Sequence, residues 1–235
     1  GTWWIAAVLL LMFTHTSAMM PMSEAAMAYL VSQEGSFDAR RYGRVRLWGS
    51  LGFLVTVFAA GAWFEQFGMA DFPGWTLATL VAVVASTWLL PRLEESQPSS
   101  STSHGARPAM APVLRRPQVR WFFASACFHV LAHIAVYVFF SLYLDALGYR
   151  KSTIGVLWAV SVVVEIAWFF TQGRWLPRWP LSRWLLVCAA AMALRMGMTA
   201  AAGAWLLVLV VAQMLHALTF AAHHTACMAL LSEYF

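Results

Sequence analysis

Three ionisable side chains stand inside long apolar stretches of the sequence, each on a different stretch. They are Glu165, Arg195 and His216. A charge at the centre of a bilayer costs at least about 2.5–3.5 kcal/mol, so such groups persist where they pair or line a wet cavity. We interpret the three as a proton-coupling cluster, in which Glu165 takes and releases a proton, Arg195 tunes its proton affinity and His216 completes the network. The alternative is a structural ion pair that locks two helices without proton traffic.

Solute binding is a second role that these residue types permit. The guanidinium of Arg195 could bind a substrate carboxylate through two hydrogen bonds, and the sequence does not separate this role from proton coupling. We expect His133, together with Tyr137, to contact a solute. Phe220 is a candidate for the wall of an aromatic pocket, and His224 is a further candidate for contact with the solute.

Histidines are frequent enough to raise a third possibility. His129 and His133 are four residues apart and share a helix face, and with His216 and His224 they could be haem or metal ligands. We favour uncharged histidines that hydrogen-bond between helices or line a polar cavity, and we expect no metal and no cofactor. The three cysteines lack the spacing of a metal site.

A further acid, Glu24, lies one helical turn after Pro21, which removes a backbone donor and is expected to kink its helix. Glu24 is either a gating acid facing a cavity, or a carboxylate that reaches the interface or pairs with an arginine of the following loop. Arg46, in that loop, is a further candidate for a gating or structural residue. Gly49 and Gly52 place small residues along the next apolar stretch, which predicts close helix packing.

The composition indicates which elements position these residues. The chain has 235 residues, of which 61% are hydrophobic and 11% charged, whereas soluble domains carry roughly a quarter charged residues. We predict an all-α, polytopic membrane bundle with seven transmembrane helices, because backbone groups in hydrocarbon must be paired within each segment. The predicted spans are residues 2–31, 47–64, 72–90, 121–144, 152–172, 181–202 and 204–232.

The cations predict the orientation of the spans. Twelve arginines follow the first, third and fifth spans, and only Arg150 and Lys151 lie in the alternate loops. Cytoplasmic loops carry the excess of such cations, so we assign the arginine-rich loops to the cytoplasm. Because the net charge of +5 is explained by topology, we expect no nucleic-acid partner.

A Ser- and Pro-rich stretch, SQPSSSTSHGARPAMAP, divides the chain into three spans and four. We predict helices of an N-terminal half at 1–92, a flexible cytoplasmic linker at 93–118 and helices of a C-terminal half at 119–235. A shift of 201 residues lays the first span on the last and matches His15 with His216. Such a shift crosses six helices, which is the parallel repeat of major facilitator transporters.

Several motifs resemble one branch of that superfamily, the phenylpropionate permease branch, which is itself similar to lactose permease-like proton symporters. The segments that resemble it are YGRVRLWGSLGF with Arg46, Gly49 and Gly52, SAMMPMSEAAMA with Glu24 in place of an aspartate, GVLWAVSVVVEI with Glu165, and LHALTFAAHH with His216, Thr219, Phe220 and His224. Arg195 also stands where the branch has an arginine. The visible spans then correspond to helices four to ten, and we expect a fragment cut at both ends.

The resemblance implies a proton-coupled carrier of the bacterial inner membrane, whose two helix groups rock about a midplane cavity, and we expect a monomer. It also implies that the solute is a small organic molecule such as an aromatic carboxylate. A sugar or nucleoside symporter is the first alternative, and a haem- or metal-binding redox protein is the second. No P-loop, HExxH, GxSxG or CxxC motif occurs in the sequence, and we expect no enzyme.

Overall fold

The computed structural model describes residues 2–17, 19–32, 37–68, 70–89 and 110–235, and within these ranges it contains helices and turns but no β-strand. This confirms the predicted all-α class. The physical reason is the one given by composition, since a helix pairs its own backbone groups where no water is available.

The helices follow one another in a simple order. They are α1 (Thr2–Ser17), α2 (Met19–Val31), α3 (Ala39–Phe67), α4 (Phe72–Trp88), the short α5 (Met110–Arg115), α6 (Pro117–Ala146), α7 (Lys151–Trp175), α8 (Leu181–Ala202), α9 (Leu206–Met214) and α10 (His223–Tyr234). A 3₁₀ turn, Leu176–Arg178, follows α7, and a π-helical turn, Ala217–Ala222, joins α9 to α10.

Five segments of the described chain are long and apolar enough to cross a membrane. They are Ala39–Phe64, Pro117–Ala146, Lys151–Arg178, Leu181–Ala202 and Leu206–Tyr234. The predicted third span is a shorter apolar helix, Phe72–Trp88, and the predicted first span is described as α1 and α2 on either side of residue 18. Five of the seven predicted spans are therefore confirmed as helices long and apolar enough to cross a membrane, and the other two stay predictions.

The helices after the linker pack as one group around two apolar clusters. The first cluster joins α6, α7 and α9 through Phe140, Leu157 and Leu209, each at most 3% exposed. The second joins the end of α7 to α8 and α10 through Trp184 and Ala226. Two tyrosine hydroxyls also connect α6 and the loop after it to α8, because Tyr143 and Tyr149 donate to the carbonyls of Thr199 and Gly203.

The helices before the linker reach that group through the first half of α3. The side-chain amide of Gln172 on α7 donates to the carbonyl of Ala39 at 2.7 Å. The two backbones come so close that a Cβ at Gly43 would overlap the carbonyl of Phe169, and one at Gly173 would lie 2.8 Å from the Cβ of Arg40. We call this contact, together with the neighbouring ends of α2 and α10, the arginine-rich end of the bundle.

Two boundaries differ from the sequence prediction. α3 begins at Ala39, with the side chain of Asp38 accepting hydrogen bonds from the first-turn amides, so Arg46 lies inside the helix rather than in a loop. The last part of the predicted linker is helical, since α5 covers Met110–Arg115 and α6 begins at Pro117. The rest of the predicted linker, residues 93–109, lies outside the described ranges.

Candidate functional site

A buried polar network lies where α3, α7, α8 and the π-helical turn meet. Glu165 on α7 is 6% exposed, and each of its carboxylate oxygens has a different partner. Oε2 lies 3.1 Å from Nε2 of His216, and Oε1 accepts a hydrogen bond of 2.5 Å from the hydroxyl of Ser50 on α3. The network therefore joins helices from both sides of the linker.

Arg195 on α8 is held behind His216. Its guanidinium donates to Oε1 of Gln213 at 2.8 Å and to the hydroxyl of Thr219 at 3.1 Å, and its Nη1 lies 3.2 Å from Nδ1 of His216. The side chain is only 1% exposed. The structure thus brings the three predicted coupling residues together, but in the order Glu165, His216, Arg195 rather than as a direct acid–guanidinium pair.

These contacts define which nitrogen of His216 carries the ring proton. A guanidinium can only donate, so Nδ1 must be the acceptor and the ring is neutral. The proton is then on Nε2, which donates to Glu165. The positive charge of Arg195 reaches the carboxylate across an uncharged ring, and Glu165 has no direct cationic partner among its hydrogen bonds in the described chain.

Gln213 and Ser50 are the partners that the sequence analysis missed. Gln213, His216 and Thr219 are spaced by three residues, which puts them on one helix face, and this spacing was the available signal for Gln213. Ser50 had no such signal, because its hydroxyl faces Glu165 across a contact between helices whose partners are 115 residues apart along the chain.

The π-helical turn Ala217–Ala222 shapes this region. π-turns occur mainly as single insertions in α-helices and often at functional sites. Here the turn lets Thr219 serve two neighbours, since its hydroxyl accepts from Arg195 and its carbonyl lies 2.6 Å from Nε2 of His129. The ring of His129 in turn stacks on His223, with centroids 3.6 Å apart.

A cavity of about 140 Å³ opens beside the network, between α6 and the π-helical turn with α10. Four of the predicted solute-binding residues line it, namely His133, Tyr137, Phe220 and His224. Phe220 lies parallel to the rings of His216 and His224, 5.1 and 6.0 Å away. Arg195, the fifth predicted contact, does not line the cavity, because its donors are directed at Gln213, Thr219 and His216.

His133 contributes an unused polar atom to the cavity wall. The residue is 5% exposed, and its buried Nε2 has no hydrogen-bond partner in the described chain. A buried polar group without a partner costs about 1–3 kcal/mol, so a ligand atom that bonds to this nitrogen recovers that cost.

A second polar network surrounds Glu24 at the arginine-rich end. Its Oε1 lies 3.2 Å from Nε of Arg46, and its Oε2 accepts a 2.6 Å hydrogen bond from the hydroxyl of Tyr42. Nε2 of His224, on α10, lies 3.2 Å from Oε2. Of the two interpretations of Glu24, pairing with Arg46 matches this geometry, and the contact with His224 adds a connection across the two helix groups.

The remaining predicted gating residues, Pro21, Gly49 and Gly52, make few contacts with other helices. Pro21 is exposed in the first turn of α2, and its kink stays a prediction because residue 18 is outside the described ranges. A Cβ at Gly49 would meet only Arg46 at 3.0 Å, and one at Gly52 would have no atom within 4 Å. Close packing occurs at Gly43 and Gly173 instead.

The histidines are near one another without forming a cage. No group of three or more His, Cys, Asp or Glu residues within the described ranges is placed to hold a metal ion. The rings of His129 and His133 lie 6.0 Å apart, and those of His133 and His216 lie 5.4 Å apart, which are contacts between rings rather than around a common centre.

Comparison with known proteins gives a consistent family. The sequence matches the MFS_1 like family over residues 1–235. It is 30% identical over 229 residues to the probable 3-phenylpropionic acid transporter of Escherichia coli (strain K12), covering 96% of this chain and 58% of that relative. It is 29% identical over 189 residues to the maltose permease of Geobacillus stearothermophilus, covering 76% of this chain and 43% of that relative.

No solved structure matches the chain significantly. The chain spans 58% and 43% of the lengths of the two relatives, both of which are named as transporters rather than enzymes. Because the family match extends from the first residue to the last, the chain belongs to the MFS_1 like family of the major facilitator superfamily.

Proposed function

We propose that the chain is part of a proton-coupled carrier that moves a small organic solute across the bacterial inner membrane. The observation that carries the proposal is the buried Glu165, which is bonded to a neutral histidine and a hydroxyl and has no directly bonded cation in the described chain. Acidic and histidine side chains that face the interior of a membrane bundle mark proton relays in pumps and transporters. Arg195 acts in this proposal by orienting His216 and not by binding the solute.

An aromatic carboxylate is the proposed solute. A cavity of roughly 150 Å³ lined by apolar groups accommodates a benzene ring, and the cavity beside the network has about that volume, with Tyr137 and Phe220 in its wall. Nε2 of His133 offers a hydrogen bond to a carboxylate oxygen. The Escherichia coli relative, named for 3-phenylpropionic acid, supports this chemistry.

A sugar is the second candidate, and the maltose permease relative favours it. A sugar needs many hydrogen-bond partners, however. Among the buried polar atoms of the cavity lining in the described chain, Nε2 of His133 lacks a partner, whereas Nε2 of His224 already lies 3.2 Å from Glu24. Competition of unlabelled 3-phenylpropionate and maltose against labelled uptake separates the two candidates.

The complete gene product, reconstituted in proteoliposomes, provides the test. A pH gradient of one unit is worth about 1.4 kcal/mol per proton, so a one-proton carrier accumulates its solute up to about tenfold. We expect Glu165→Gln to abolish this accumulation while solute exchange between the two sides continues. Asp145→Asn, an exposed acid at the end of α6, is the matched control and should accumulate as the unmodified protein does. Accumulation that survives in Glu165→Gln rules out the proposed coupling residue.

A further inference from the structure

The contact between Ser50 and Glu165 lies at the inner limit of the packing between the two helix groups. Ser50 is eleven residues after Ala39, which is roughly 16 Å along α3 at 1.5 Å per residue. The buried residues of α3 are Tyr42, Gly43 and Ser50, and no described side chain after Ser50 on this helix is buried. Ser50 is thus the last buried residue described on α3, and its hydroxyl contacts Glu165 of α7, the proposed proton acceptor.

Glu165 presents one specific oxygen to this serine. Its Oε2 is occupied by the Nε2–H of neutral His216, and Arg195 on the far side of the ring prevents that ring from reversing its tautomer. The oxygen at which a proton can be added without breaking the histidine network is therefore Oε1. That is the oxygen held by the hydroxyl of Ser50.

Adding a proton at Oε1 changes this bond directly. Hydrogen bonds to an ionised acceptor are about twice as strong as neutral ones. When Oε1 carries a proton, the acid must donate to the oxygen of Ser50, and the serine hydroxyl must turn away to another acceptor such as the carbonyl four residues earlier on its own helix. The strong bond between α3 and α7 is then replaced by a weaker one.

Other titratable groups near this contact are already engaged. Arg195 is bonded to Gln213 and Thr219, and Arg46 on α3 lies beside Glu24. Tyr137 on α6 is close enough to interact electrostatically with Glu165, but it forms no hydrogen bond with it in the described chain. Several described contacts join the helices before the linker to those after it. The hydrogen bond from Ser50 is the one that reaches Glu165, the proposed proton acceptor.

From this geometry we propose that Ser50 transmits the charge of Glu165 to the packing of α3 on α7. An ionised Glu165 holds the two helices together at the arginine-rich end, and a protonated Glu165 lets them separate. The inference rests on the proposed proton coupling at Glu165 and adds to it the residue through which the proton acts on the conformation. Ser50 is a positioning residue here and has no contact with the solute.

Distance measurements between spin labels at Arg44→Cys and Arg174→Cys test the inference. Both positions are exposed near the α3–α7 contact, and all native cysteines of the protein are first replaced. In the complete gene product we expect low pH to lengthen this distance. Ser50→Ala should favour the separated form by about tenfold or more, the equivalent of a hydrogen bond to a charged group, and should remove the response to pH.

Two matched variants control for packing. Ser50→Thr keeps the hydroxyl and should restore the pH response, whereas Ser161→Ala removes a buried serine that bonds only within its own helix, to the carbonyl of Trp158, and should leave the response unchanged. If Ser50→Ala does not fold, Glu165→Gln supplies the second measurement, because it should show the separated distance at every pH.

The outcomes distinguish this inference from the function on which it rests. A normal pH response in Ser50→Ala, or in Glu165→Gln, overturns the role of Ser50. If Glu165→Gln stops proton-driven accumulation while Ser50→Ala behaves as the unmodified protein, the coupling residue stands and the transmission through Ser50 fails. If Glu165→Gln still accumulates solute against the proton gradient, the proposed function itself fails.

Discussion

The networks of Glu165 and Glu24 each contain a glutamate, a histidine and an arginine, but in different arrangements. Glu24 is contacted directly by Arg46, Tyr42 and His224, whereas Glu165 meets a neutral histidine that stands between it and Arg195. A directly paired carboxylate keeps its charge, because the cation compensates it at once. The difference supports the proposed coupling role of Glu165, and we propose a structural role for Glu24, whose charge is compensated directly by Arg46.

Of the variants that test this difference, removal of the guanidinium of Arg195 should have the largest effect on the free energy of unfolding. Arg195→Met leaves Gln213, Thr219 and His216 without a donor in a site that is almost fully buried. Breaking a buried charged network costs about 3–5 kcal/mol, and we expect a loss of that size in unfolding experiments in detergent. Arg183→Ala, which removes an exposed arginine near the start of the same helix, should change the free energy of unfolding by less than about 0.5 kcal/mol.

A stability of Arg195→Met equal to that of Arg183→Ala would contradict the network. Arg195→Lys sharpens the test, because the ammonium of lysine cannot reproduce the planar guanidinium that donates to Gln213 and Thr219 together. We expect this variant to lie between the other two.

Element type and membrane character could be predicted from the sequence because both follow from composition. The approximate positions of Glu165, Arg195 and His216 in one site could also be predicted, since isolated charges in apolar helices must find one another. The order of contacts could not, because it depends on the π-helical turn at Ala217–Ala222 and on the rotation of each helix. Ser50 was missed for a similar reason, since its partner lies 115 residues away along the chain.

A substitution at the close approach of α3 and α7 should have the next largest effect on the free energy of unfolding. A Cβ at Gly43 overlaps the carbonyl of Phe169 and the side chain of Gln172. Overpacking of this kind costs typically about 1–3 kcal/mol, so Gly43→Ala should destabilise the protein by that amount and weaken the contact that brings Ser50 to Glu165. The measurement is the same unfolding experiment.

Gly52→Ala is the matched control on the same helix. A Cβ at this position has no atom within 4 Å, and alanine is better than glycine in a helix by up to about 1 kcal/mol. We expect no loss of stability there. Because helix propensity favours alanine at both positions, equal destabilisation of the two variants would contradict the α3–α7 contact at Gly43 as the cause of the loss.

The smallest expected effect concerns the connection from Glu24 to α10. His224→Phe removes Nε2, which lies 3.2 Å from Glu24, but keeps a ring parallel to Phe220. The histidine side chain is 25% exposed, and exposed ion pairs contribute about 0–1 kcal/mol, while Glu24 retains Arg46 and Tyr42. We therefore expect a change below about 1 kcal/mol in the free energy of unfolding. Arg46→Met, which removes the direct cation from Glu24, should cost more, and the reverse order would mean that His224 rather than Arg46 compensates this carboxylate.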